Sequence, residues 1–552
     1  MYLGGVYMGI SLKDIFKNDE EKLVKDRRNT AIRNMIIFSL VVVLLLVATL
    51  TYKFLGDSGK TERKALAQDM QSIQNAIANR VNAHINSNSE SDYPGISLED
   101  DPQTLTINGY EEEYRYGYYY LASGDLKEVA TVLNLPQKSY FVNYETGDVV
   151  NVEGIKYKKK TYHSIDDILA IYNGQTPPSD SVIVLSSVKD FEKMRSKPTG
   201  YFKLSGNIDM SERAEGEGWE PIAEFNGTFD GRGYTISHLN INRPTKANVG
   251  LFGNLQGNAK ISNVNFADVK VIGGEYTGTL AGYCSGTVTN VHIASGDITG
   301  MRSAAGAIVG AYGISKMSNC TAKANVDGDS EVGGVIGTLY SGIVNRVGFE
   351  GNVTATTDVG GFIGLVRVST ASTEISECVA RAAVNGKVNL GGFIGEIEMT
   401  SNNTVNVINS YAIGSVETGE SNIGGMFGYI YAAQGTPTIR LENLYADVSV
   451  VEKGLSSGGF IGNSTVSNST TKNAIECYWK KDLAPGEELE STGVYTQGSE
   501  FTSKPKTPTE MTMRREYTDW DFARVWDIKE RESSAFLRWE NNDKVEEKNA
   551  KK

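Results

Sequence analysis

The hexapeptides VGGVIG (332–337), VGGFIG (359–364) and LGGFIG (390–395) are near copies of one another. Five further stretches share the pattern: NVGLFG (248–253), TGTLAG (277–282), AGAIVG (305–310), IGGMFG (423–428) and SGGFIG (457–462). Their closing glycines are separated by 29, 28, 27, 27, 31, 33 and 34 residues. A period in this range indicates one supersecondary unit per repeat, stacked on its neighbours in a solenoid. The eight hexapeptides therefore predict a mainly β chain built as a solenoid of eight rungs, with strands of neighbouring rungs ~4.8 Å apart.

A second short segment recurs once in every repeat: ISNV (261–264), VTNV (288–291), MSNC (317–320), VNRV (344–347), ISEC (375–378), VINS (407–410), LENL (441–444) and AIEC (474–477). From its first residue to the next closing glycine the distance is always 20–22 residues, whereas the preceding spacing varies from 6 to 13. Nearly all the length variation therefore lies at one corner of the rung. The longer connections, rich in Ser, Thr and Asn, are predicted to form a ridge of loops that is the place to search for a ligand: 365–374, 396–406, 429–440 and 463–473.

The residue types of the repeat suit a tight coil. Paired glycines such as Gly360-Gly361 allow the sharp turn and close backbone approach that each rung requires. Ile336, Ile363, Ile394 and Phe427 are predicted to form a ladder inside the coil. Asparagine recurs at or near one turn position, where it tolerates left-handed geometry and bonds its own backbone; this interpretation is favoured over ligand binding for Asn263, Asn290, Asn319, Asn409 and Asn443.

Three of the four cysteines follow the same repeat. Cys320, Cys378 and Cys477 occupy the position that holds Val264, Val291 and Leu444 in other repeats, which predicts small core residues with free thiols. Cys320 and Cys378 are two rungs apart, too far for a disulfide. The fourth cysteine, Cys284, forms no CxxC pair with another, so no zinc site of that type is expected.

Composition and motifs exclude several functions. The net charge is −13 and no basic stripe occurs beyond the first 35 residues, so nucleic acid is not an expected partner. There is no HExxH motif, and no convincing set of acids recurs in register in successive repeats, so no enzyme, cofactor or metal site is predicted. The isolated candidates have structural interpretations. Asp209 and Asp230 lie in the segment that enters the array, where Asp230-Gly231 predicts a turn; Asp327 and Asp329 are predicted in a solvated loop, and Arg302 and Arg381 have no paired base.

Near the start, residues 35–52 read MIIFSLVVVLLLVATLTY, an uncharged run long enough to span a bilayer. Basic residues precede it and only Lys53 follows directly, so the positive-inside rule places residues 1–34 in the cytoplasm and the bulk of the chain outside the cell. We predict a single transmembrane helix over 35–54 at the cell membrane, acting as an uncleaved signal-anchor. A cleaved signal peptide is the alternative.

A small α+β domain is predicted over 55–171. Apolar residues at spacings of three and four predict an amphipathic helix: Leu66, Met70, Ile73, Ile77, Val81 and Ile85. Turn residues 145–148 (ETGD) predict a hairpin within 139–157. A half-buried strand is favoured over an aromatic binding strip for Tyr110, Tyr114, Tyr116 and Tyr118.

Membrane helix, amphipathic helix and small sheet resemble a type IV pilin or pseudopilin, and YFVNYETGDVVNVEGIKYKKKTYHSIDDI (140–168) resembles the tail of such domains. That family is processed between a glycine and an aromatic residue, with a glutamate five residues into the apolar run. Asn34-Met35 stands at that place here, which argues against peptidase cleavage and filament assembly.

The hexapeptides and their Asn-containing turns resemble GLUG repeats of bacterial surface proteins. Residues 200–241 resemble the usual start of such arrays and 511–539 their usual end, with Trp520, Trp526 and Trp539 as capping aromatics. The resemblance covers 182–540 and implies a β-solenoid, of the right-handed β-helix type, on adhesin-like proteins. Residues 172–181 are then a linker and 541–552 a charged, disordered tail.

These features predict a non-enzymatic, membrane-anchored surface protein whose solenoid acts as an adhesion or spacer module, with glycans or extracellular proteins as partners. One alternative is a minor pilin-like subunit that carries the solenoid as cargo and contacts other pilin-like subunits. A second alternative is a β-helix enzyme acting on polysaccharides, which would need clustered acids or bases on one strand face.

Overall fold

The structure, a computed structural model, describes residues 61, 63–75, 103–105, 115–121, 140–143, 148–432, 434–451, 454–467, 470–481, 489–495 and 501–540. The predicted cytoplasmic segment, membrane span and charged tail lie outside these residues. Among the helices that are described, none combines the length and the apolar character needed to cross a membrane.

The small α+β domain has one helix of residues 63–75 packed on an antiparallel sheet. Leu66, Met70 and Ile73 are buried against sheet residues such as Tyr140 and Val149, as the sequence pattern predicts. The remaining residues of the predicted stripe lie outside the described residues. The sheet strands pair in chain order and are followed by a helix, Ile165–Tyr172. The strands are Gln103–Leu105, Arg115–Leu121, Tyr140–Asn143, Asp148–Tyr157 and Lys160–Ser164.

Two tight turns shape this sheet. The predicted hairpin is confirmed, with Asn143 paired to Asp148 across its turn. A second hairpin turns at Lys158 and Lys159, which both have positive φ, 46° and 71°. This is the geometry of a type I′ turn. The Lys-Lys pair gives no Gly or Asn signal, so the sequence did not predict it.

Residues 172–181, predicted as a linker, are held on the small domain. Pro178–Ser181 forms a 3-10 turn. The Asp180 carboxylate accepts hydrogen bonds from Lys160 Nζ and Tyr162 Oη, both at 2.7 Å. An ion pair of 2.8 Å between Lys260 Nζ and Asp166 Oδ2 connects the domain to the solenoid.

The solenoid is a stack of parallel strands in four columns, named A to D in the order in which a rung visits them after its paired glycines. Column A follows the glycines and contains, among the described residues, ten strands, two more than the eight predicted rungs. The extra ones, at the two ends, lack the hexapeptide. Column A consists of Ile222–Phe225, Phe252–Leu255, Ala281–Cys284, Val309–Tyr312, Ile336–Leu339, Ile363–Val368, Ile394–Met399, Phe427–Ala432, the second half of Ser457–Val466, and Glu490–Tyr495.

Column B carries the second recurring segment, and column C follows it after a turn. Column B consists of Ile183–Leu185, Tyr201–Leu204, Thr228–Asp230, Thr373–Ser376, Thr404–Ile408, Thr438–Glu442 and Thr471–Ile475, with the first parts of Lys260–Ala267, Thr287–Ile293, Ser315–Gly333 and Gly342–Thr354. Column C consists of the later parts of those four strands with Ile208–Asp209, Thr235–Ser237, Asn240–Asn242, Val269–Gly273, Gly296–Gly306, Val379–Asn385, Tyr411–Val416, Tyr445–Val450, Tyr478–Lys480 and Lys504–Lys506.

Column D leads into the paired glycines. It consists of Thr357–Gly360, Val388–Gly391 and Ser421–Gly424, with the ends of Gly296–Gly306 and Ser315–Gly333 and the start of Ser457–Val466. Outside the columns lie the short helices Glu192–Ser196 and Pro508–Met511, the 3-10 turns Val188–Phe191, Ser211–Arg213 and Arg514–Glu516, and a two-stranded sheet of Trp526–Asp527 and Phe536–Leu537.

The glycine and aliphatic ladders are confirmed. Gly333, Gly360 and Gly391 pair in register along the stack. A Cβ placed on Gly360 would lie 1.9 Å from the Ile363 carbonyl oxygen, so no larger residue fits there. The predicted ladder of Ile336, Ile363, Ile394 and Phe427 is completely buried and pairs in register, and Ile461 continues it.

The recurring asparagines are confirmed as left-handed turn residues between columns B and C. All five have φ between 48° and 56°. They also bond to one another along the stack: Asn290 Nδ2 donates to Asn263 Oδ1 at 2.8 Å, and Asn443 Nδ2 donates to Asn409 Oδ1 at 3.1 Å. Where the repeat lacks Asn, Arg346, Glu377 and Glu476 adopt the same backbone conformation.

All four cysteines are buried and free. Cys320 pairs in register with Val347, at the apolar position that the repeat alignment predicts. Burial raises the pKa of the Cys477 thiol to about 12, so the thiol stays protonated near neutral pH.

Two predictions about exposed segments need correction. The extra residues of the later rungs lengthen the strands rather than forming only loops: Ile363–Val368 and Thr373–Ser376 leave 369–372 between them. Phe501 joins the core and Lys504–Lys506 continues column C, whereas the C-terminal segment 511–540, predicted to cap the array, does not cover the end of the core. It lies against the side of the stack, where its aromatic residues form a separate cluster with Tyr411, Tyr445 and Tyr478.

Candidate functional site

A strip of polar and aromatic side chains follows the outer side of column A. Three of its backbone positions carry Ala311, Thr338 and Leu365, which pair in register. They are at most 1% exposed, yet they do not belong to the axial core. The larger side chains around them therefore form an ordered layer on the outside of the coil.

At the N-terminal end of this layer three tyrosines meet. The hydroxyls of Tyr276 and Tyr340 lie 3.3 Å apart, although the residues belong to different rungs. The Tyr276 ring also packs edge-on against Tyr283, with centroids 6.2 Å apart. All three side chains are half-buried.

Next along the stack, Arg367 is held between two glutamates. Its Nε donates to Glu398 Oε2 at 2.7 Å, and its Nη2 lies 3.7 Å from Glu331 Oε1. Thr338 Oγ1 donates to the other oxygen of Glu331 at 2.5 Å. These groups have little freedom, because each charged group has a partner on another strand.

A carboxyl pair lies beside the arginine. Glu396 and Asp358 are hydrogen-bonded to each other, and Asn389 Nδ2 donates to Asp358 Oδ1 at 2.7 Å and to Glu396 Oε2 at 2.8 Å. Burial, and then the nearby charge of Asp358, raise the pKa of Glu396 to about 8. Two carboxylates in contact cannot both ionise easily, so the pair holds one proton near neutral pH.

An asparagine ladder and a tyrosine pair complete the strip. Asn422 Nδ2 donates to Asn389 Oδ1 at 2.7 Å, and Asn463 Nδ2 donates to Asn422 Oδ1 at 2.9 Å. The outward-facing Tyr429 and Tyr431 lie side by side, with ring centroids 6.1 Å apart and planes at 44°. We call the whole surface the outer strip: Tyr276, Tyr283, Glu331, Thr338, Tyr340, Asp358, Arg367, Asn389, Glu396, Glu398, Asn422, Tyr429, Tyr431 and Asn463.

Chemically, the outer strip combines fixed hydrogen-bond acceptors, a fixed guanidinium and partly exposed aromatic rings. It offers no bare basic group for phosphate. Within the described part of the chain no three His, Cys, Asp or Glu side chains are arranged to hold a metal ion. The arrangement is suited to recognising a polar ligand by hydrogen bonds and ring contacts.

The sequence assigned no catalytic or binding residue, and the outer strip was missed. One available signal was the residue just before each hexapeptide. There Glu331 and Asp358 are acids in successive repeats, at a second left-handed turn position with φ of 56° and 54°. The predicted ligand-search segments did contain Arg367, Glu396 and Tyr429.

The individually considered aspartates are mostly structural. Asp230 Oδ1 accepts from the Arg232 backbone N–H at 2.9 Å, which confirms the predicted turn, and Asp209 Oδ1 accepts from the Ser211 backbone N–H at the same distance. The loop interpretation of Asp327 and Asp329 is wrong, because both lie within the strand Ser315–Gly333.

The two arginines differ. Arg302 is exposed. Arg381 is not isolated: its Nη2 donates to Glu540 Oε2 at 2.5 Å, and Tyr411 Oη donates to Glu540 Oε1 at 2.6 Å. Glu540 is 159 residues away in the chain, so no local pattern reveals this partner.

Comparison with known proteins gives partial similarities. No protein-family profile matches the chain. Halomucin from Haloquadratum walsbyi is 33% identical over 198 residues, which cover 33% of this chain and 2% of that protein. A Gly-rich membrane protein from Evansella cellulosilytica is 28% identical over 201 residues, 34% of this chain and 23% of that protein. The chain thus matches less than a quarter of the length of either relative.

Among solved structures, a chain described as an immunoglobulin A1 protease from Bacteroides ovatus aligns with a TM-score of 0.33 and 15% identity. The alignment covers 65% of this chain and 92% of that one.

Proposed function

We propose that this chain is a non-enzymatic surface protein, anchored by residues 35–54, whose solenoid presents the outer strip as a binding face. The observation that carries this proposal is the strip itself. Its polar groups form hydrogen bonds and ion pairs between rungs at several places, from the Tyr276–Tyr340 pair to Asn463, on the outside of the core. A surface fixed in this way can bind a ligand with little loss of side-chain freedom.

Three sequence features support placement at the cell surface: the apolar run at 35–52, the basic residues before it and the repeats that resemble GLUG arrays. The relatives point the same way, since one is named halomucin and the other a membrane protein. In this proposal the small α+β domain, which resembles a pilin, supports the solenoid outside the membrane.

Binding fits the strip better than hydrolysis does. Glycosidases hold their two carboxyl groups ~5–9.5 Å apart to accommodate a sugar or a water between them. Asp358 and Glu396 are in direct hydrogen bond, with Asn389 bridging both. The two carboxyl groups therefore bond to each other and do not flank a space for a scissile bond.

The test combines surface digestion with N-terminal sequencing. Protease added to intact cells should remove the solenoid, and the membrane fraction should retain a chain with its N-terminus intact. A solenoid protected until the cells are lysed would contradict the proposal. A shortened N-terminus near Met35 in sheared filaments would favour the second candidate, a pilin-like subunit, which the pilin-like order of elements before the solenoid supports.

A further inference from the structure

We propose that the outer strip binds a neutral, hydroxyl-rich polysaccharide, which runs along the stack and packs on the Tyr429–Tyr431 pair. The inference rests on the proposed function, since it names the ligand class of that binding face.

The tyrosine pair is flanked by polar rows on both sides. In register, Glu396 and Glu398 precede Tyr429 and Tyr431 by one rung. Asn463 and Thr465 follow the same two tyrosines by one rung. A sugar ring has an apolar face that suits an aromatic ring and hydroxyls at its rim that suit planar polar groups. Along the direction in which a polymer would lie, a polar row, the tyrosine row and a second polar row follow one another at the ~4.8 Å spacing of the rungs.

The polar groups around the pair are already positioned. Glu398 is held by Arg367 at 2.7 Å, and Asn463 is held by Asn422 at 2.9 Å. Each of these carboxylate and amide groups keeps acceptor capacity for a ligand hydroxyl, because an ionised carboxylate has about four lone-pair sites and an amide oxygen has two. A hydroxyl bound to a charged acceptor forms a stronger hydrogen bond than one bound to a neutral group.

Other ligand classes fit less well. The centre of a protein interface needs apolar or aromatic anchors that become buried together, but the aliphatic residues of this layer, such as Leu365, are already covered. A strongly cationic ligand would meet fewer free negative charges than the number of carboxyl groups suggests. Arg367 neutralises Glu398, and Asp358 is hydrogen-bonded to Glu396. A polyanion would meet the remaining carboxylates.

Affinity electrophoresis of the full chain tests the inference. The probes are soluble β-glucan, mannan and galactan set in the gel, with polylysine and gelatin as the cationic and protein alternatives. Migration of the unaltered protein should be retarded by at least one of the three polysaccharides. The double variant Tyr429→Ala/Tyr431→Ala should weaken that retardation about tenfold or more, a loss comparable to that of an interface anchor.

One control variant and one further test variant make the outcome decisive. Tyr172→Ala removes an exposed tyrosine of the small domain and should leave retardation unchanged. Arg367→Ala keeps the tyrosines but frees Glu398, and should weaken binding without abolishing it. Circular dichroism checks that each variant is folded.

The inference is overturned by any of three results: no retardation by the three polysaccharides, retardation that the double variant retains, or retardation only by polylysine or gelatin. Cell-surface exposure is measured separately by protease digestion, so a loss of this inference leaves the proposed function intact.

Discussion

The early and late rungs of the solenoid have the same interior and different exteriors. Up to Leu339, the strands of column A have four residues, and column B starts three to five residues later. From Ile363 onward the column A strands have six residues or more, and the rungs also carry the C-terminal segment on their side. One glycine and one buried apolar residue keep the same positions in both halves, as Gly306 and Val309 do in the early rungs and Gly360 and Ile363 in the late ones. The comparison teaches that the coil fixes its inner face strictly and leaves its outer face free to acquire a function.

The largest loss of stability should come from a substitution in the interior that both halves share. A Cβ on Gly391 would lie 1.9 Å from the Ile394 carbonyl oxygen, and backbone cannot move aside as a side chain can. Gly391→Ala is therefore expected to lower the free energy of unfolding by ~3 kcal/mol or more, at the upper end for overpacked sites. Thermal unfolding followed by circular dichroism measures the loss.

Gly257→Ala is the matched control, since nothing lies within 4 Å of its added Cβ. This variant should unfold close to the unaltered protein. Equal losses from the two alanines would mean that the close stacking of the glycines does not hold the coil together.

The next largest effect should separate the two halves. Trp526 is completely buried on the side of the late rungs, its ring 5.9 Å from Tyr411 and its Nε1 donating to Asn409 at 3.3 Å. Trp526→Ala should cost ~3 kcal/mol of local stability, at the lower end for a buried tryptophan. Hydrogen exchange should then show faster opening around 411–478 and little change in 252–339.

Trp219→Ala tests the early rungs instead of the late ones, because Trp219 is 2% exposed and packs in the first rungs. It should accelerate exchange there and spare the late rungs. If either variant loosens the whole stack evenly, the solenoid unfolds as one unit and the two halves are not separable.

The sequence could predict the interior of the coil, which the two halves share, better than its exterior, in which they differ. The hexapeptides predicted the glycine ladder, the aliphatic ladder and the left-handed asparagines, because one physical constraint repeats in every rung. The first and last turns were missed, since Ile222–Phe225 and Glu490–Tyr495 satisfy the same backbone pairing without the paired glycines.

The side packing of the C-terminal segment, and part of the outer strip, depend on pairs that are far apart in the sequence. Tyr276 meets Tyr340 over 64 residues, and Arg381 meets Glu540 over 159. Outer-face residues also differ from rung to rung, as the column of Thr338, Leu365 and Glu396 shows. A repeat pattern reveals the residues that every rung requires, so it predicts the fold more readily than the site.

A smaller effect is expected at the turn that early and late rungs share. Asn290 has φ of 56°, a conformation that a β-branched residue adopts only with strain. Asn290→Val should cost ~1–2 kcal/mol, whereas Asn290→Gly keeps the backbone geometry and loses the side-chain hydrogen bonds to Asn263 and His292. Urea unfolding of both variants tests this, and a glycine variant less stable than the valine variant would contradict the turn explanation.

The smallest effect is a pH dependence confined to the late rungs. Glu396 has its pKa raised from 4.5 to about 8 by burial and then by Asp358; Glu398 raises it further and Arg367 opposes the shift. A carboxyl whose pKa is raised on folding stabilises the fold below its unfolded pKa, and that contribution is lost as the pH rises through the folded pKa. The free energy of unfolding should therefore fall between about pH 4.5 and about pH 8. Glu374, whose pKa burial raises to about 7, adds to the fall in the same direction.

Glu396→Gln removes one of these two groups while keeping the shape of the side chain and a hydrogen bond to Asp358. Its unfolding midpoint should fall less steeply with pH than that of the unaltered protein, most visibly between pH 7 and 8, where Glu374 contributes little further change. Glu350→Gln, at an exposed ion pair with Lys323, is the control and should keep the full slope. An unchanged slope in Glu396→Gln would show that the carboxyl pair does not hold its proton. The ordered acidic layer that distinguishes the late rungs from the early ones would then lack its central hydrogen bond.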